Sequence, residues 1–134
     1  YPGASDSVNA VIDCFGPADL CAVLELPESE RRAETESLFT LFCGGTLDQD
    51  LLKKMSPIRY VTEGRSYVPF LIAHGDADPA VDFSQSARMV KRLEECGADV
   101  SFICVEGAVH EGNFWSQELL AIFKGFLDKQ AGLK

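Results

Sequence analysis

The sequence predicts an α/β fold with about three parallel strands, flanking helices and a helical insertion after the first strand. Three mainly apolar segments have the length of strands, and helical patterns follow the second and the third of them. Strands that alternate with helices in this way form a parallel sheet through right-handed crossovers. The chain has 134 residues, 46% of them hydrophobic, which is enough for one domain with its own core.

The first strand is predicted within VNAVIDCFGP (8–17), which is rich in β-branched residues, too short for a helix and closed by Gly-Pro. Residues 18–66 have a different character, with much charge and two short helical patterns. The first pattern stops at Gly44-Gly45, and the second starts from a Thr or Asp cap and closes at Pro57. This stretch is typical of an insertion that lies over one face of a domain.

The rest of the chain continues as strand, helix, strand, helix. The second strand is predicted at 67–75, as an apolar run of the kind that is buried on both faces in parallel sheets. An amphipathic helix follows from Phe83 and ends at Gly97, and the third strand is predicted at 99–107. The last helix is expected to place five apolar side chains on one face: Trp115, Leu119, Ile122, Phe123 and Phe126.

Charge and cysteine content exclude several classes of function. A net charge of -9 repels nucleic acid and anionic lipid surfaces, and no apolar run is long enough to cross a membrane. Five cysteines, an odd number without a CxxC pair, indicate neither a disulfide framework nor a metal site: Cys14, Cys21, Cys43, Cys96 and Cys104. No cofactor is indicated. Free thiols favour the cytoplasm, although a secreted parent protein is also compatible with the sequence.

Polar side chains follow the second and third strands, at the edge where reactive groups gather in α/β sheets. Asp76, Asp78 and Asp82 follow the second strand, and His110 follows the third. Neighbouring parallel strands can bring an acid and a histidine together, and a carboxylate that holds an imidazole prepares it as a general base. We interpret Asp78 and His110 as the catalytic pair. Asp76 and Asp82 are interpreted as turn or capping residues, Asp82 as the N-cap of the helix that follows.

Four segments, in this order along the chain, resemble the C-terminal half of α/β-hydrolases of the esterase/lipase and prolyl-oligopeptidase-like group: VNAVIDCFGPADL, SPIRYV, HGDADPAVDFSQS and VEGAVHEGNFW. The resemblance implies a partial α/β-hydrolase fold, with residues 1–134 as a single C-terminal portion. In that family HGxxDxxV carries the acid of the catalytic triad, and a Gly-rich turn before the last helix carries the histidine. These positions correspond to Asp78 and His110. Two residues depart from the family pattern, which usually has Pro at Asp82 and often has Gly at Glu111.

The nucleophile that this family needs has no counterpart in the sequence. Its serine lies in a GxSxG turn between a strand and a helix, before the acid. No GxSxG is present, and GASDS, with Ser5, lacks the second glycine and a preceding strand. Cys14 fits a buried apolar thiol better than a nucleophile. The chain is therefore expected to be the part of a longer hydrolase that follows the nucleophile, and to be inactive alone.

Two functions stay open at this point. The first is a fragment of a serine hydrolase, lipase-like, which in its full form acts on carboxylic esters or peptide-like acyl bonds, with a small-molecule ester as the expected substrate. The alternative is a non-catalytic α/β module that binds or scaffolds; a nucleotide-binding fold is weaker, because no Gly-rich turn follows the first strand. An unpaired edge on the first strand is expected to make the chain a homo-oligomer. Four apolar residues of the insertion would line either an acyl pocket or the core: Leu38, Phe39, Phe42 and Leu52.

Overall fold

A three-stranded parallel sheet organises the chain in the computed structural model, which describes residues 3–25 and 33–132. The strands are β1 (Val11–Cys14), β2 (Phe70–Gly75) and β3 (Val100–Val105), in the spatial order β1-β2-β3. Each strand pairs in parallel with the next, so their C-terminal ends lie at one edge of the sheet. The predicted α/β class with about three parallel strands is confirmed.

Four α-helices accompany the sheet in the described ranges: α1 (Ala33–Phe42), α2 (Gln49–Met55), α3 (Ser84–Glu95) and α4 (Gln117–Gln130). Short 3-10 turns occur at Ala22–Glu25, Pro57–Tyr60 and Gly112–Phe114. Both α1 and α2 lie between the first two strands, as the predicted helical insertion requires. None of the helices in these ranges combines the length and the apolar character needed to span a bilayer.

The ends of α2 follow directly from its sequence. The side chain of Asp48 accepts hydrogen bonds from the backbone amides of Asp50 and Leu51, at 2.9 and 3.1 Å, and so satisfies two of the free N–H groups at the helix start. Ser56 ends the helix, and Pro57 opens the 3-10 turn that follows. The predicted Asp cap and the predicted stop at Pro57 are confirmed.

Strand β2 is the centre of the core because both of its faces are covered. Side chains alternate across a strand, so Ile72 points to one face while Leu71 and Ala73 point to the other. On the Ile72 face the packing partners come mainly from α3 and the insertion: Met89, Val90, Leu93, Ala18 and Val61. On the other face they come from α4 and the segment before it: Leu119, Phe123, Ala108 and Phe114.

The last helix starts later than the sequence pattern suggests. Ser116 accepts the amide of Leu119 at 3.1 Å and caps α4, so Trp115 lies before the helix and is 46% exposed. Ile122 is 49% exposed, whereas Leu119 and Phe123 are buried. The predicted five-residue apolar face is therefore wrong for Trp115 and Ile122, because a helix starting at 117 presents a narrower buried stripe.

Strand β1 forms the edge of the sheet in the described part of the chain, since it pairs with β2 alone. Its four residues are each partly buried, whereas five of the six residues of β2 are fully buried. A strand that pairs on one side has backbone groups available on the other. The expected self-association through this strand stays a prediction, and sedimentation showing only a monomer at high concentration would contradict it.

Candidate active site

The acid loop, residues 76–83, connects β2 to α3 and closes around the carboxylate of Asp78. Oδ1 of Asp78 accepts the backbone amides of Ala80 and Val81, at 2.7 and 2.9 Å, and the whole side chain is inaccessible to solvent. Burial by itself raises the pKa of this carboxyl group. The amide of Val81, the ring N–H of His110 and the amide of Ala80 together outweigh burial and hold the pKa below its ordinary value. Asp78 is therefore a buried, ionised acceptor at neutral pH.

The histidine loop, residues 106–116, follows β3 and crosses the end of β2 at very close range. A Cβ atom on Gly75 would overlap the backbone carbonyl of Ala108, so only glycine allows the two segments to approach. The same carbonyl accepts the amide of Ala77 at 3.1 Å. Two side chains complete the attachment. Asp76 Oδ1 accepts the amide of Gly107 at 2.6 Å, and Asn113 binds Val109 and Gly107 inside the loop.

These attachments bring together the two residues that the sequence analysis paired. Nδ1 of His110 lies 2.8 Å from Oδ2 of Asp78. Because an ionised carboxylate only accepts, Nδ1 of His110 must be the donor, and in the neutral form of the ring Nε2 keeps its lone pair. The side chain of His110 is 31% exposed, against 0% for Asp78. The pair can thus accept a proton from a group on the solvent side.

The end of β1 supports the other side of the imidazole. The ring of Phe15 lies 4.3 Å from that of His110, measured between centroids, and it also contacts Phe114 and Trp115 at 4.9 and 6.1 Å. Phe15 has a φ of 46°, a left-handed conformation that is uncommon for a bulky residue. All three strands therefore contribute to the surroundings of His110, although the sequence analysis assigned no role to Phe15.

A second histidine also contacts the acid. His74, at the end of β2, is fully buried, and its Nε2 lies 3.3 Å from Oδ2 of Asp78. The sequence did contain a signal for it, since a histidine within the apolar run FLIAHG must find polar partners once it is buried.

Comparison with known families identifies the chain. The family model BD-FAE matches residues 2–93, which is more than half of the sequence and includes the acid loop. The chain belongs to the BD-FAE family. His110 lies beyond the matched range, so its assignment depends on the geometry described above. The comparison with curated proteins gave no match.

Solved structures agree with this family assignment. A truncated carbohydrate esterase from gut microbiota has 29% identity and a TM-score of 0.71, over 92% of this chain and 43% of its own length. A bifunctional GH43-CE protein of Bacteroides eggerthii has 27% identity and a TM-score of 0.73, over 98% and 18%. Esterase 2 of Thermogutta terrifontis, at 21% identity and a TM-score of 0.68 over 96% and 48%, shows a shared fold. The chain thus spans less than half the length of each of these proteins.

Glu111 occupies a backbone position that explains why the hydrolase pattern often has glycine there. Its φ of 59° and ψ of −125° lie in a region that L-residues other than glycine rarely adopt. This BD-FAE family member therefore holds a strained residue directly after its candidate base.

The two other acids of the first loop have structural roles. Oδ1 of Asp82 accepts the amide of Ser84, the first residue of α3, at 2.9 Å. Phe83 and not Asp82 occupies the N-cap position, so the predicted N-cap is wrong by one residue, and Asp82 stabilises the turn that leads into the helix. Asp76 was interpreted as a turn or capping residue, and it instead connects the acid loop to the histidine loop through Gly107. Its partner lies 31 residues away, so local sequence patterns carry no signal for this contact.

Cys14 does not provide an alternative nucleophile in this site. Burial raises the pKa of its thiol to about 11, and the neighbouring Asp13 carboxylate adds to this effect. A thiol with such a pKa stays protonated, and hence unreactive, at neutral pH.

The residues proposed to wall an acyl pocket divide into two groups. Leu52 and Phe39 are buried in a small cluster with Leu20, whereas Leu38 and Phe42 are about half exposed. The core interpretation therefore holds for the first pair, and a pocket role for the second pair stays a prediction.

Among the described residues, no group of histidine, cysteine and acidic side chains is arranged to hold a metal ion.

Proposed function

We propose that this chain supplies the acid and the histidine of a serine hydrolase that cleaves carboxylic esters. The observation that carries the proposal is the 2.8 Å hydrogen bond between His110 Nδ1 and Asp78 Oδ2, at the ends of adjacent parallel strands. Membership of the BD-FAE family and the esterases among its structural neighbours support ester chemistry. In this proposal the nucleophilic serine belongs to residues outside these 134.

The proposed catalytic roles of Asp78 and His110 follow from the geometry of their hydrogen bond. Asp78 fixes the Nδ1–H form of His110, so Nε2 can take the proton of the serine hydroxyl as its oxygen attacks the ester carbonyl carbon. When the ester C–O bond breaks, His110 returns that proton to the leaving alcohol. Water then attacks the acyl carbonyl carbon and gives a proton to His110, which passes it to the serine oxygen as the bond from that oxygen to the acyl group breaks and the carboxylic acid leaves. The substrate is a small-molecule ester.

Three observations support a nucleophile outside the chain. The sequence has no GxSxG, and the thiol of Cys14, at the end of β1, stays protonated. The chain also matches only 43% of the length of the first structural neighbour. We therefore expect the 134 residues alone to hydrolyse a p-nitrophenyl acyl ester no faster than buffer does. Hydrolysis that His110→Ala abolishes would contradict this expectation.

The decisive experiment uses the longer reading frame. If it contains a GxSxG before Tyr1, the corresponding protein should hydrolyse p-nitrophenyl esters, and Asp78→Asn should lower kcat/KM by about 10³-fold or more. His110→Ala should have an effect at least as large. Asp82→Asn is the matched control, because it makes the same change in the same loop without touching His110; it should keep the activity within a few-fold.

A non-catalytic binding or scaffolding module is the alternative outcome. A reading frame that starts at this point without a GxSxG would support it, as would an Asp78→Asn variant with unchanged turnover.

The cytoplasmic location expected from the cysteines stays a prediction.

A further inference from the structure

The carboxylate of Asp78 accepts three hydrogen bonds in the structure, and a fourth polar group beside it belongs to a residue without a role in the reaction proposed above. Oδ1 accepts the amides of Ala80 and Val81. Oδ2 lies 2.8 Å from Nδ1 of His110 and 3.3 Å from Nε2 of His74. The His74 contact is a close polar contact and not a hydrogen bond, because the N–H of His74 is directed at the carbonyl oxygen of Val81.

His74 is held at both ring nitrogens. Nδ1 lies 2.7 Å from Oγ of Ser86 on α3, and Nε2 lies 3.0 Å from the carbonyl oxygen of Val81 in the acid loop. The neighbours of Nε2 are a carbonyl and a carboxylate, which only accept, so Nε2 carries a proton in either charge state of the ring. Ser86 and His74 are both fully buried. The direction of the Nε2–H of His74 is thus fixed by the buried surroundings of the ring and by the contact of Nδ1 with Ser86 on α3.

We propose that His74 is a positioning residue for the Asp78–His110 pair. Its Nε2–H, oriented by Ser86, donates to the Val81 carbonyl of the acid loop, and the amide of Val81 binds Oδ1 of Asp78. His74 thereby keeps the carboxylate where Oδ2 receives the Nδ1–H of His110. The inference rests on the proposed function, in which His110 acts as the base. Because His74 is inaccessible to solvent, it acts through Asp78 and does not touch substrate. The arrangement forms a continuous series of polar contacts, Ser86 to His74 to Asp78 to His110.

The chain contains only two histidines, which makes a direct test possible without any enzymatic assay. Long-range ¹H–¹⁵N correlation spectra of the 134-residue chain at neutral pH should show two imidazoles, each assigned by a single substitution. The expected result is a protonated Nε2 on His74 and a protonated Nδ1 on His110. If His110 instead carries its proton on Nε2, the acid–histidine pair itself is absent, and the proposed function fails before this inference is reached.

Two substitutions of His74 separate positioning from packing. His74→Phe keeps an aromatic ring in the site but removes the N–H, so the Nδ1–H resonance of His110 should be lost or replaced by a mixture of tautomers. His74→Gln can place an amide N–H near the original Nε2 and should restore that resonance. A folded His74→Phe variant with an unchanged His110 tautomer would overturn the proposal.

Ser86→Ala keeps the test decisive if His74→Phe does not fold. This small change leaves the His74 ring in place and removes its orienting hydroxyl, so the His74 tautomer should become mixed and the His110 Nδ1–H signal should weaken. Unchanged spectra for both rings would overturn the proposal. An inactive longer protein whose His110 tautomer still depends on His74 would contradict the proposed function and leave the positioning role standing.

Discussion

The acid loop and the histidine loop hold their functional residues in opposite ways. Asp78 is inaccessible to solvent, and donors surround it on both oxygens. His110 is 31% exposed, makes its hydrogen bond through one nitrogen only, and is followed by a strained residue. The difference fits their proposed roles, since an orienting acid benefits from immobility whereas a base needs one nitrogen open to the reacting group.

The largest effect should come from the contact that joins the two loops. Gly75→Ala places a Cβ against the Ala108 carbonyl, and neither backbone can move without disturbing β2, so we expect a loss of about 3 kcal/mol in the free energy of unfolding. Urea denaturation measures it. Gly125→Ala is the control. Gly125 lies in α4 with open space around its Cβ position, and alanine there should add about 0.5–1 kcal/mol. Equal destabilisation of both variants would contradict the close approach.

The second prediction tests the immobility of Asp78. Asp78→Asn should lower the free energy of unfolding at neutral pH by about 2 kcal/mol, because charge-assisted hydrogen bonds to a buried carboxylate are lost. The pH dependence has a definite sign. The pKa of Asp78 is lower in the folded chain, so its contribution is complete above the unfolded value of about 4 and disappears as the pH falls through the folded pKa. Urea midpoints measured across the acid range should decline less for Asp78→Asn than for the unmodified chain.

A third, smaller effect should appear where Asp76 holds the histidine loop. Asp76→Ala leaves the amide of Gly107 without its acceptor and should cost about 1 kcal/mol, because this contact is exposed to water. Asp76→Asn keeps a side-chain oxygen and should lose less. Hydrogen exchange of the Gly107 amide is the sharper measurement, and equal protection in all three proteins would show that the loop is held elsewhere.

The smallest effect should come from relief of strain in the histidine loop. Glu111→Gly should raise the free energy of unfolding by about 0.5 kcal/mol, since the relief of strain at a φ of 59° is partly offset by the conformational entropy that glycine loses on folding. Glu111→Ala is the control, because it removes the carboxylate but keeps the Cβ, and it should bring no gain. A gain of equal size in both variants would assign the effect to charge instead of backbone conformation.

The sequence predicted the parallel sheet and the contact of Asp78 with His110. The alternation of strand and helix patterns indicates a parallel sheet, and each of the two residues follows the C-terminal end of a predicted strand, so local patterns were sufficient for both. The bond of Asp76 to Gly107, the packing of Phe15 on His110 and the contact of His74 with Asp78 depend on tertiary structure. Periodicity also extended the last helix over Trp115, because an apolar spacing continues past the point where Ser116 caps the backbone.

The single tryptophan of the chain, Trp115, lies beside the aromatic rings that surround His110, 5.0 Å from Phe114 and 6.1 Å from Phe15 between ring centroids. Its indole is half exposed, so its emission wavelength depends on whether the end of β1 and the histidine loop are docked together. The fluorescence of Trp115 therefore reports whether the end of β1 and the histidine loop stay in contact beside His110. A red shift of this emission at low denaturant concentration would show that the two segments separate before the sheet itself unfolds.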